Sequence, residues 1–395
     1  MKVDLLVVVD HLARPCGVRT TYMKLFEWCD SNNVTLALIS DSNEVLPYDS
    51  IKHRLNICID DAFKLGEIKR RPFLALIHDQ QVVHPDLRYN GISYDDAFYL
   101  DAWNGDNEWL IDAETKCRIF VDKVKARHIL VATQSFLGFA MRFVLKETNV
   151  SICLHTHYAA FYAIRIAGAE NNLFQVLEDK IMERLNEVFI QSSRSVFLVS
   201  MASKRFFPLM EENNVQVFTP GVDTQVFQPI EKPVSHRFRC LYAGRWSKDK
   251  GSALFAELFN RLTNIDWIVI GNDTDTTLPA NVNVFGPLDQ YALSHEIAIS
   301  DLVIFYGKWD TFGLVALEAL SCGVPVVAHA ESEISRIIEG KCGFSFNTLD
   351  ELVNLIEIFF TDSDNVIKMR SEARRTAEAM TWSKSMESFV QKIGI

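Results

Sequence analysis

Two series of short, branched-apolar runs, each interleaved with stretches of helical length, constrain this chain more than any other feature. In the first half VDLLVVV (3–9), VTLALIS (34–40), FLALIHD (73–79), HILVAT (128–133) and VSICLH (150–155) read as strands. Runs this apolar are buried on both faces, as in a parallel sheet covered by helices. FLGFAMRFVLK (136–146) has the length and periodicity of the helix that joins the fourth run to the fifth, completing a βαβ unit. Near residue 220 the pattern restarts with FRCLYA (238–243), the helix GSALFAELFNRL (251–262), DWIVIG (266–271), VNVF (282–285), DLVIFY (301–306) and VPVVA (324–328). Between the series, TPGVDTQVFQPIEKPVSHRF (219–238) holds three of the chain's eleven prolines and no periodicity, so it reads as a linker.

The expectation is an α/β protein of two Rossmann-like, doubly wound domains facing across a cleft. The N-terminal domain covers 1–220, the linker 221–237 and the C-terminal domain 238–378; the remaining helix, within 379–395, is expected to pack back on the first domain. A length of 395 residues agrees, because it exceeds what one core usually supports. Open parallel sheets bind ligands beyond the carboxyl ends of their strands, which puts the chemistry in the cleft.

Composition removes several function classes. A net charge of −11 excludes a chain-wide basic surface for nucleic acid or anionic lipid. No apolar run approaches the roughly 20 residues that span a bilayer, and Asp4 interrupts the first one, so neither a transmembrane segment nor a secretory signal is read. The eight cysteines are scattered with no CxxC pair and read as reduced thiols, which points to the cytoplasm, with at most peripheral membrane contact. Asp273 and Asp275 in DTDTT mimic a metal-binding DxD motif, but they follow the strand DWIVIG in an ordinary polar loop with no third ligand, so no metal is expected.

The stretch WDTFGLVALEALSCGVPVV (309–327) reads as a loop, a helix, a glycine stop and a strand. The helix start, around Thr311, Phe312, Gly313 and Leu314, faces the strand ends and offers backbone N–H groups and a positive dipole end, an arrangement suited to a diphosphate. Gly313 has no Cβ to hold a ligand away. Glu318, on the helix, suits a pair of vicinal hydroxyls such as those of a ribose, and Asp310, one loop earlier, the hydroxyls of a second ring. An isolated acid pair is by default solvated surface. Here YAGRWSKDKG (242–251) adds Arg245 and Lys250 on a loop bounded by Gly244 and Gly251, two cations that suit a pyrophosphate.

Together YAGRWSKDKG, DTFGLVALEALSCGVPVVA and FTPGVDTQVFQP resemble the retaining family 4 glycosyltransferases of GT-B architecture, with matching order and spacing across residues 218–329. The resemblance implies that Arg245 and Lys250 contact the donor diphosphate and stabilise the departing nucleoside diphosphate, work done elsewhere by a metal. It implies that Glu318 holds the donor ribose, that Asp310 stands at the first Glu of the family's E-x7-E motif and binds the transferred sugar, and that the backbone of Phe312, Gly313 and Leu314 meets phosphates and sugar. The loop PCGVRTT, with Gly17, would lie near the donor phosphates, and either His155 or His157 of CLHTHYAAFY would approach the transferred sugar. No cofactor or metal is implied beyond a nucleoside-diphosphate sugar, UDP- or GDP-linked, and the partner is a hydroxyl acceptor such as a glycan or glycolipid.

Three departures from the family pattern stand out. Asp310 is one methylene shorter than Glu, Cys16-Gly17 replaces a frequent Gly-Gly, and Ser332-Glu333 replaces another, which puts a charge near the donor site. The reading is a metal-independent hexosyltransferase acting with retention. Its rivals are a GT-B epimerase or phosphorylase and a catalytically silent sugar-nucleotide binding protein.

Overall fold

A computed structural model describes residues 1–9, 12, 16–40, 42–57, 108–132, 141, 145, 150–155, 190, 193–207, 214–231, 237–271, 278–361 and 363–395. The chain divides into two compact units. The first comprises Met1–Val199, Lys204–Phe218 and Met386–Ile395; the second comprises Ser200–Ser203 and Thr219–Ser385.

The first unit contains β1 (Lys2–Val9), α1 (Gly17–Ser31), β2 (Leu36–Ser40), β3 (Ile51–Asn56), α2 (Glu108–Lys123), β4 (Lys125–Val131), β5 (Val150–Leu154), β6 (Ser195–Leu198) and β7 (Val215–Val217). These strands form a parallel sheet in the order β3-β2-β1-β4-β5-β6-β7. β1 lies inside it, and Leu5 to Val9 are wholly buried because helices cover both faces of such a sheet. β4 begins three residues before the expected run, since its pairing with β1 starts at Lys125 opposite Lys2.

In the second unit β8 (Arg239–Ala243), α3 (Ser252–Arg261), β9 (Asp266–Ile270), β10 (Val282–Phe285), α4 (Gln290–Ala298), β11 (Leu302–Phe305), α5 (Leu314–Ser321), β12 (Val326–His329), α6 (Glu333–Ile338) and β13 (Gly343–Phe346) follow one another. α7 (Leu349–Thr361), α8 (Ser363–Ala379) and α9 (Trp382–Ile393) complete the chain. The sheet order is β10-β9-β8-β11-β12-β13, parallel throughout. Aromatic rings fill one side of it. Tyr242 packs on Phe255 with centroids 4.4 Å apart and Phe259 on Trp267 at 4.8 Å, while the Trp267 indole N–H donates to the Leu262 carbonyl at 3.0 Å, so the buried ring leaves no polar atom unpaired.

Both sheets thus have the doubly wound α/β order, and the direction of winding reverses between β1 and β4 in one and between β8 and β11 in the other. The expected run FLALIHD and most of FLGFAMRFVLK lie outside the described residues. Strands β3, β6, β7 and β13 were not expected. In β3 the sequence IKHRLN carries three basic side chains on an edge where no residue is fully buried, so no apolar run marks it. Among the described residues no helix is long and apolar enough to cross a membrane, and the seven free cysteines are buried except Cys16.

Candidate functional site: the strand ends at the winding reversal

The reversal between β8 and β11 places the loops after these two strands side by side, at their carboxyl ends. The first loop is shaped by packing. Tyr242 donates its hydroxyl to the Arg245 carbonyl at 2.7 Å, and the Trp246 ring stacks on Phe259 with centroids 6.0 Å apart, so the loop folds back on the core and leaves Arg245 exposed. A single 3-10 turn, Lys248–Lys250, then ends at Gly251 with φ 84°. A Cβ there would lie 2.6 Å from the Tyr306 ring, so position 251 requires glycine for both conformation and space.

The second loop is pinned at both ends by one ring. Phe305, the last residue of β11, packs so that a Cβ on Gly307 or Gly313 would meet its ring at 2.0 or 2.7 Å. Gly313 has φ 118° and is the N-cap of α5, so no side chain caps that helix. The sequence reading gave Gly313 the task of letting a ligand approach; the structure shows that its missing Cβ is required by Phe305.

Between these ends the two loops meet. Lys250 Nζ donates to Asp310 Oδ1 in an ion pair whose side chains keep only 25% and 21% of their surface exposed. The cation assigned to a diphosphate and the acid assigned to a sugar therefore hold each other. Lys308 pairs with Glu331 at 3.3 Å and lies over the Trp309 ring, anchoring the other side of the loop. Phe312 is buried, and no described group accepts from the Phe312 or Gly313 amide.

One turn into α5, Glu318 is half-buried, and burial pushes its carboxyl up to about 7. Arg245, Lys250, Asp310, Thr311, Phe312, Gly313, Leu314 and Glu318 thus share one unit, and all but Glu318 lie on or at the ends of the two adjacent loops. Gly244 opens the first loop, its amide donating to the Ile270 carbonyl at 3.0 Å.

Gly17 and His155 belong to the first unit. Gly17 opens α1, whose N-cap is Cys16: its sulfur accepts from the Arg19 amide at 3.5 Å, so the cysteine in place of a glycine serves as a weak cap. His155 follows β5 directly, and its Nε2 lies 2.9 Å from the hydroxyl of the buried Tyr22 on α1. His157 lies outside the described residues, as do Asp273 and Asp275. Among the described residues no cluster of three or more His, Cys, Asp or Glu could hold a metal.

Ser332 and Glu333 depart from the family pattern in a way the structure explains. Ser332 is the N-cap of α6, its Oγ accepting from the Ser335 amide, and Glu333 Oε2 accepts from the Ala202 amide at 2.9 Å. The acid is engaged with the 3-10 turn Ala202–Phe206, a partner no sequence spacing would have disclosed.

The architecture is therefore GT-B, and comparisons with known proteins agree. The chain aligns with sucrose-phosphate synthase from Thermosynechococcus elongatus at a TM-score of 0.73 and 14% identity, covering 98% of both chains. With the glycosyltransferase WaaG of lipopolysaccharide biosynthesis the TM-score is 0.65 at 13% identity over 99% of each chain. Residues 224–379, which hold nearly the whole candidate site, match the family model of glycosyl transferases group 1. Among curated proteins, sulfoquinovosyl transferase of Arabidopsis thaliana is 28% identical over 192 residues, 43% of this chain and 38% of that protein. A D-inositol 3-phosphate glycosyltransferase of an Arthrobacter species is 27% identical over 202 residues, 44% of this chain and 48% of that one. The matches span less than half the length of either relative.

Proposed function

We propose that this chain is a glycosyltransferase that moves a hexose-like sugar from a nucleoside-diphosphate sugar to a hydroxyl acceptor, with retention of anomeric configuration and without a metal. The observation that carries the reading is the meeting of Lys250 and Asp310 beside the uncapped start of α5, at the winding reversal of a sheet whose segment 224–379 matches group 1 glycosyl transferases.

In the proposed reaction Arg245 and Lys250, with the first amides of α5, stabilise the negative charge that grows on the leaving diphosphate. Fixed cations and dipoles at that place make a divalent ion unnecessary. The acceptor hydroxyl attacks on the face that the diphosphate leaves, and a phosphate oxygen takes its proton. Asp310 orients the hydroxyls of the transferred sugar and Glu318 those of the donor ribose. The acceptor is a glycan, glycolipid or small hydroxyl compound. The site of action is the cytoplasm, with no nucleic acid partner.

The test is the thermal midpoint of the purified chain against UDP, GDP and ADP and their glucose and mannose conjugates, in EDTA. A ligand bound only by the folded state raises the midpoint with the logarithm of its concentration. One diphosphate should raise it, and Arg245→Ala should abolish the rise; no response to any of them sinks the donor-site reading. UDP is the first choice because a solved relative of the same fold, HepE from Anabaena, 15% identical at a TM-score of 0.64 over 99% of both chains, holds UDP and glucose. Turnover of the conjugate that binds, with the product anomer read by NMR, separates transfer with retention from silent binding.

A further inference from the structure

We propose that Ser200 and Glu333 are positioning residues of the donor site, acting through the Thr311–Phe312 peptide. The inference rests on the donor-site reading above and assigns to it two side chains that touch no ligand themselves.

The argument begins with hydrogen-bond capacity. A serine hydroxyl has one proton to donate and lone pairs with which to accept. Ser200 is buried, and its hydroxyl donates to the Thr311 carbonyl while accepting from the Ser203 amide at 3.3 Å; the Ser203 hydroxyl donates to the Ser200 carbonyl at 2.6 Å. The proton of Ser200 is therefore committed to Thr311. In a trans peptide the C=O and the following N–H point in opposite directions across a rigid plane. Holding the Thr311 carbonyl toward Ser200 turns the Phe312 N–H away from it, and that amide has no described acceptor. Orphaned amides on buried residues are rare, so an amide that no described group accepts is one available to a ligand.

Glu333 explains why Ser200 sits where it does. Its carboxylate, in the first turn of α6, accepts from the Ala202 amide at 2.9 Å and so fixes the Ser200–Ser203 segment, which belongs with the second unit although it follows strand β6 of the first. The acid that departs from the family pattern is thus the far end of a chain of contacts: Glu333 to Ala202, Ser200 to Thr311, and the Phe312 amide to the donor. Ser200 itself comes 111 residues before Thr311 in sequence.

The test measures dissociation constants by calorimetry for whichever of UDP, GDP and ADP the wild-type chain binds, and for the matching nucleoside monophosphate, in wild type, Ser200→Ala, Ser200→Thr, Glu333→Ala and Glu333→Gln. Threonine keeps the hydroxyl and glutamine keeps an acceptor oxygen. Ser200→Ala and Glu333→Ala should weaken the diphosphate about tenfold, the size of one well-placed hydrogen bond. Ser200→Thr and Glu333→Gln should restore most of it, and the monophosphate should bind all five alike. Unchanged diphosphate binding in Ser200→Ala overturns the inference, as does an equal loss for diphosphate and monophosphate, which would mark general damage to the fold. If wild type binds none of the three diphosphates, the donor-site reading falls and this inference with it; if wild type binds and the alanine variants match it, the inference alone falls.

Discussion

The two sheets share one strand order and differ in what their strand ends carry. At the reversal of the second sheet, side chains from two neighbouring loops form an ion pair, a helix starts without a side-chain cap, and a half-buried acid follows one turn later. In the first unit the described residues near the strand ends include pairs that hold loops in place. Tyr22 meets His155, and Arg19 pairs with Glu44 through two nitrogens, at 2.7 and 2.9 Å. The same winding thus carries an ion pair beside an uncapped helix start in one unit and a helix-to-strand-end contact, Tyr22 to His155, in the other. Topology says where a ligand belongs; the loop residues decide whether one binds.

The sharpest way to break this comparison is to remove charge from the second unit. Lys250→Ala should lower kcat/KM for the donor by about 10²- to 10³-fold, the usual cost of losing one preorganised group facing a developing charge. Steady-state kinetics with the donor found by thermal shift measures it, and a loss below fivefold would remove Lys250 from the site.

Glu318→Gln sharpens the contrast between binding and stability. The carboxyl of Glu318 is raised from its ordinary 4.5 to about 7, so its stabilising contribution is complete below pH 4.5 and is lost as pH rises through about 7. Removing the charge should therefore stabilise the chain above neutral pH, by at most on the order of 3 kcal/mol at pH 8.5, and leave it little changed at pH 5. The same variant should bind donor less well. In wild type, hydroxyls that donate to the carboxylate favour its ionised form, so donor affinity should climb between pH 6 and pH 8. Midpoints and dissociation constants across that range check both arms, and a pH-independent affinity would detach Glu318 from the donor.

Tyr22→Phe probes the other unit. It should cost about 1 kcal/mol of stability through the lost contact to His155 and leave diphosphate binding at the wild-type value. A drop in diphosphate affinity as large as that of Lys250→Ala would erase the distinction between the two units. The smallest effect belongs to Asp310→Ala. It frees Lys250 from its internal partner, so bare diphosphate should bind about threefold more tightly, as expected for a partly exposed ion pair. Turnover of the sugar conjugate should fall, because nothing then orients the sugar. Tighter diphosphate together with slower turnover is a signature that simple damage to the loop does not produce.

What the sequence disclosed follows from what leaves a local trace. Buried parallel strands such as β1 and β11 are continuous apolar runs, and a helix followed by Gly323 and Pro325 ends visibly. Edge strand β3, with Lys52, His53 and Arg54, and β7, with three residues, carry no such trace. Within the site, Arg245, Lys250, Asp310 and Glu318 were weak signals one by one and became specific only together, through the order and spacing of their motifs. That Lys250 and Asp310 bind each other was not legible, because pairing across 60 residues depends on which strands are neighbours. Ser200 lay in no motif at all, and Glu333 looked like a charge aimed at the donor until its partner, a backbone amide, was placed.

The ring of Phe305 has a consequence for how such a protein changes over time. With Gly307 and Gly313 both set against it, the ends of the second loop are fixed posts, with the five residues Lys308 to Phe312 between them. A library of variants should show intolerance at 305, 307 and 313. Such a lineage would change the side chains between the two posts before it changed the posts, without renegotiating the sheet beneath them.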